Sequence, residues 1–136
     1  MPRVFRAMTR VGNQPLVAPT ARGLGIRPGV DIPVDDSGNV APDHGGMSVA
    51  SDWKLLPPWR IPKRLANIVP QASGRNDDAC WRLGDGGFVA ESIGERLRFV
   101  PDRLSHGVVE PAFEMSLDEY QAALAATQDD WVIDES

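Results

Sequence analysis

The chain has 136 residues, of which 42% are hydrophobic and four are tryptophan, enough for one domain spanning 1–136 and too little for two comfortable cores. Glycine and proline together number 25, so an ordered fold rich in turns is expected. The net charge of −5 is unevenly placed: residues 1–75 carry ten Arg/Lys against five Asp, residues 76–136 four against fourteen. A basic first half suits an anionic ligand, while an acidic second half argues against nucleic-acid binding. The single cysteine, Cys80, excludes an intrachain disulfide framework and fits a reducing compartment. No run approaches the roughly 18 apolar residues of a membrane span and the first twenty residues lack a signal-peptide core, so folding in the cytoplasm is expected, with export left to a signal-independent machine.

The opening "RVFRAM" alternates as a short strand does, with Val4, Arg6 and Met8 on one face and Phe5 and Ala7 on the other. An inward Arg6 calls for an anionic partner; an Arg6 on an edge strand would simply reach solvent. Residues 12–53 read as turns around at most one brief extended segment. The spacing Gly23, Gly25, Gly29 matches no dinucleotide fingerprint, and a Rossmann or P-loop fold is rejected. Pro62 is expected to open a short helix running to about Ile68, stopped by Pro70.

The second half reads as strands. "ACWRL" and "GFVAESI", joined by "GDGG", have the look of a hairpin; "RLRFV" and "HGVVEPAFEM" follow as further strands, the latter ended or interrupted at Pro111. "SLDEYQAALAAT" is the clearest helix, with Ser116 and Glu119 as a capping box and Leu117, Tyr120 and Leu124 on one face. The tail "WVIDES" is expected to extend and bury Trp131 and Ile133.

Two histidines, His44 and His106, are too few for a multi-histidine zinc site, and His106 and Glu110 on one strand lie too far apart to share a metal. Cys80 beside Trp81 reads as core packing. Ser48 follows two glycines but lacks the G-x-S-x-G pattern of a serine hydrolase. Glu110, within "VVEPA", is a carboxylate in apolar company that would be costly without a role.

The blocks "VFRAM", "APDHGGMSV" and "SHGVVEPAFEM", in this order and covering about a fifth of the chain, resemble a family of bacterial type VI secretion toxins with an ADP-ribosyltransferase-like fold. The resemblance implies an α+β fold in which small antiparallel sheets, with few short helices, flank an NAD cleft. It implies that Arg6, Ser48 and Glu110 are catalytic: Arg6 clamping the pyrophosphate or ribose, Ser48 bracing the nicotinamide ribose or the glutamate, and Glu110 stabilising the oxocarbenium-like charge. Gly45 and Gly46 would admit the cofactor to the backbone, and His106 would join Arg6 and Ser48 in binding it. Met47 stands where a small hydroxyl residue is expected, and Glu114 competes with Glu110 for the glutamate's role. Such a toxin would transfer ADP-ribose to a cellular acceptor or hydrolyse NAD, and an immunity protein would neutralise it. A catalytically silent interaction module on the same scaffold is the rival reading. An unrelated α+β fold, in which the three blocks coincide by chance, would lack a cleft joining Arg6, Ser48 and Glu110.

Overall fold

The computed structural model describes residues 1–136 and shows an α+β architecture that is mostly antiparallel sheet. Strands β1 (Phe5–Val11), β2 (Gln14–Pro15), β3 (Asn39–Val40), β4 (Met47–Ala50), β5 (Asp78–Arg82), β6 (Glu91–Ile93), β7 (Leu97–Pro101), β8 (His106–Pro111), β9 (Met115–Ser116) and β10 (Val132–Ile133) surround one helix, α1 (Leu117–Ala125). Seven of them form a continuous sheet in the order β10-β5-β1-β4-β8-β7-β6; β2 hangs on β1, and β3 and β9 form a separate ladder. Every paired strand runs antiparallel to its neighbour. Two small sheets were expected; one long sheet with a two-stranded annex is found.

The alternation read in "RVFRAM" sorts the core. Val4 and Met8 join the larger apolar cluster with Met47, Val49, Trp81, Phe99 and Tyr120, while Phe5 and Ala7 join a smaller one with Trp53, Ile61, Leu65 and Cys80. The sheet is therefore buried on both sides, by α1 and residues 24–40 on one and by residues 53–72 on the other. Strand β5 reads as a nearly continuous buried run, as a strand covered on both faces should.

Helix α1 begins where its cap predicts. The Ser116 hydroxyl accepts from the Glu119 backbone N–H at 3.1 Å, and Tyr120 and Leu124 are buried. Trp131 is buried with its indole N–H donating to Thr127 Oγ1 at 3.0 Å, but Ile133, expected inside, is 36% exposed on the edge strand β10.

Three further expectations are corrected. Residues 12–53 hold three short strands, β2, β3 and β4, and not one. The segment after Pro62 makes only a 3-10 turn, Lys63–Leu65, because the seven residues between Pro62 and Pro70 are too few to repay helix nucleation. β5 and β6 do not form a hairpin: β5 pairs with β1 and β10, β6 with β7. "GDGG" instead threads past the chain's start, with the Gly86 N–H donating to Met1 O at 2.9 Å and Leu83 N–H to Val4 O at 2.9 Å. Gly84, at φ +64°, leaves no room for a Cβ against the Met1 and Pro2 carbonyls.

Candidate functional site

Strands β1 and β4 are neighbours but are paired only at Phe5 and Ala50; beyond that pair they part. The gap holds the Arg6 guanidinium. Its Nη1 donates to Ser48 O at 2.9 Å, Nε to Gly23 O at 3.2 Å, and Nη2 to the carbonyls of Gly23 and Ala21 at 3.1 and 3.2 Å and of Thr20 and Gly25 at 3.4 Å. The anionic partner expected for an inward arginine is thus a cradle of backbone dipoles, with no carboxylate in direct contact. Burial, and next the nearby Arg60 charge, pull the Arg6 guanidinium down to about 10. A Cβ at Gly25 would strike the Ala18 carbonyl, so glycine is what lets the cradle close.

Arg6 forms the floor of a cleft of about 510 Å³, whose walls include Ser48, Arg27, Asp31, Trp59, Arg60, Arg103 and His106. The size falls within the roughly 300–1,000 Å³ of small-molecule sites. Four arginines face a single carboxylate there, in a chain whose net charge is −5. Arg60 Nη1 donates to Ala21 O at 2.7 Å, and burial, then repulsion from Arg27, lower its pKa. Burial opposes ionisation of Asp31, yet the Arg27 side chain, at 2.8 Å, together with the Arg27 backbone N–H, holds its carboxyl below the usual range. Trp59 is 67% exposed, an aromatic surface at the mouth. No helix is long and apolar enough to cross a membrane.

His106 begins β8, directly opposite Ala50, and Ser48 lies opposite Val108. Ser48 and His106 therefore share a sheet face as diagonal neighbours, a separation of about 7–8 Å between backbones. The His106 Nδ1 lies 2.7 Å from Asp102 Oδ1.

The remaining candidates stand elsewhere. Glu110 is four residues from His106, about 13 Å along an extended strand, and does not line the cleft, so no cleft joins Arg6, Ser48 and Glu110, which is the outcome expected of an unrelated α+β fold. It is 2% exposed; its Oε2 accepts from the Asp43 backbone N–H at 2.7 Å and its Oε1 has no partner. Glu114 is exposed between β8 and β9. Gly45 and Gly46, at φ +113° and +153°, make the close approaches expected of them, but to the protein itself: a Cβ at Gly45 would meet the Asp31 carbonyl, and one at Gly46 the Val109 carbonyl and the Tyr120 hydroxyl. Cys80 is fully buried and its thiol is pushed up to about 12 by burial and then by Glu135. No group of histidine, cysteine and carboxylate side chains is arranged to hold a metal.

The sequence reading thus brought Arg6, Ser48 and His106 to one cleft and missed Arg27, Asp31, Trp59, Arg60 and Arg103. "PPWRIP" carried the one usable signal, a proline pair that marks a turn, and the turn is present, closed by the Arg60 N–H donating to Pro57 O at 2.8 Å.

No protein-family model, characterised protein or solved structure matches this chain. What the fold and the cleft define is a class: an α+β protein, mostly antiparallel sheet, with an arginine-lined pocket at a strand divergence.

Proposed function

We propose that the cleft binds NAD and that the chain is an ADP-ribosyltransferase-like toxin, transferring ADP-ribose to a cellular acceptor or hydrolysing NAD. The observation that carries this reading is the meeting of Arg6, Ser48 and His106, drawn from three separate sequence blocks, in one cationic cleft. The residues fit the group. Arg60 and Arg103 would hold the pyrophosphate through charge-assisted hydrogen bonds. Trp59 would stack on a base or on the nicotinamide ring, and Ser48 and His106 would face ribose hydroxyls. Arg6, with its donors engaged by carbonyls, would contribute field and shape more than direct contact. Such an activity implies a neutralising immunity protein in the producing cell and delivery by a signal-independent secretion system.

A second reading, a catalytically silent interaction module, is favoured by two observations. Glu110 lies outside the cleft, and exposed Leu55 and Trp59 add apolar surface to its lining. Induced expression in bacteria separates the two. The enzyme reading expects growth arrest and a fall in intracellular NAD, relieved by Ser48→Ala or Arg60→Ala at equal protein level. Growth and NAD unchanged by the wild-type chain would reject it and favour the module.

A further inference from the structure

Asp102 and His106 close the turn between β7 and β8 from both sides. The backbone N–H groups of Asp102 and Arg103 donate to His106 O at 3.0 and 3.1 Å, and the Asp102 carboxylate meets His106 Nδ1 at 2.7 Å. Most exposed ion pairs are loosely held, but here both members are anchored by the same turn, so the carboxylate and ring are aligned before any ligand arrives. His106 lines the cleft, and its Nε2 makes no hydrogen bond within the protein. Every guanidinium in the lining is a donor without acceptor capacity. Asp31, the lone carboxylate there, is taken up by Arg27.

We propose that Asp102 and His106 form a catalytic dyad in which Asp102 is a positioning residue and His106 Nε2 is the base of the cleft. The carboxylate accepts from Nδ1–H, which fixes the tautomer and leaves the Nε2 lone pair for a hydroxyl, the orienting logic of an Asp–His pair. This rests on the NAD reading for its reaction. A hydroxyl of water or of the acceptor forms the new bond to the anomeric carbon, the glycosidic bond to nicotinamide breaks with its electron pair leaving on the nicotinamide, and the hydroxyl proton passes to Nε2. The dyad supplies within the cleft the proton acceptor that Glu110, outside it, does not.

The test combines a tautomer measurement with turnover on the full chain. With only two histidines, the imidazole nitrogens of His106 are assigned by comparison with His44→Asn, at pH about 8, above the ordinary histidine pKa of about 6.5. The wild type is expected to carry its proton on Nδ1. Asp102→Ala shifts the population to Nε2–H, and Asp102→Asn, whose amide NH2 donates to Nδ1, does the same while keeping the geometry. A wild-type ring protonated on Nε2, or a tautomer unmoved by Asp102→Ala, overturns the dyad. In NAD consumption, His106→Ala and Asp102→Ala are expected to lower kcat at least tenfold with little change in KM, and Asp102→Asn to recover none of the loss, because it leaves Nε2 protonated. Unchanged kcat in His106→Ala overturns its role as base. The expected tautomer in a wild-type chain that neither binds nor consumes NAD overturns the NAD reading while supporting the dyad.

Discussion

Arg6 and Glu110 are two of the three charged side chains buried in this fold, and the molecule treats them in opposite ways. Arg6 fills a gap between two strands and is met by five carbonyls. Glu110 is met by one N–H, and its second oxygen faces nothing that can donate. Burial of a charge costs free energy unless hydrogen bonds repay it. The first region is accordingly built around its charge; the second tolerates one.

The contrast breaks most visibly at Arg6. Arg6→Ala orphans several buried carbonyls at once and is expected to destabilise the fold by about 3 kcal/mol or more, since each unsatisfied buried group costs about 1–3 kcal/mol. Arg6→Lys should recover only part of this, because an ammonium cannot reproduce the planar fork. Urea denaturation measures both. If Arg6→Ala unfolds at the wild-type midpoint, the cradle is not structural.

Tyr120 tests the neighbourhood of Glu110. Its hydroxyl donates to Val109 O at 2.6 Å and accepts from the Met47 N–H at 3.2 Å, and burial pushes its pKa up. Tyr120→Phe removes both bonds and is expected to cost about 1–2 kcal/mol by the same denaturation assay, with NAD turnover retained. Glu110→Gln should go the other way. It keeps an oxygen for the Asp43 N–H and removes a buried charge, so a gain of up to about 1 kcal/mol near pH 7 is expected. A folded Glu110→Gln chain that has lost NAD turnover would return Glu110 to the catalytic machinery.

The smallest effect concerns pH. Asp31 has its carboxyl pKa depressed in the folded state, so the stability it contributes is complete above the unfolded value of about 3.9 and is lost as pH falls through the folded value. Stability measured from pH 5 downward should therefore fall less steeply in Asp31→Asn than in the wild type. Parallel slopes would show that the Arg27 pair adds nothing.

Legibility in the sequence followed the reach of the interactions. The β1 alternation, the Ser116 cap and the burial of Cys80 rest on neighbours in the chain, and each is present in the fold. The supposed "GDGG" hairpin failed because the partner of β5 is β1, more than seventy residues earlier, and nothing local announces such a pairing. The burial of Arg6 was readable, but its partners were not, since backbone carbonyls leave no mark in a sequence. The glycines at 45 and 46 signalled close approach without saying to what. Arg27, Arg60 and Arg103 reach the cleft from loops, where residue type carries no directional pattern.

Titrating NAD into isotope-labelled protein, and mapping the perturbed backbone and indole resonances, tests most directly that the arginine-lined cleft and not the surroundings of Glu110 is the binding site. Concentration-dependent shifts at Ser48, Trp59, Arg60 and His106, with Asp43, Glu110 and Tyr120 unmoved, are the predicted result. Shifts confined to Asp43, Glu110 and Tyr120, or none at any NAD concentration reached, would contradict it.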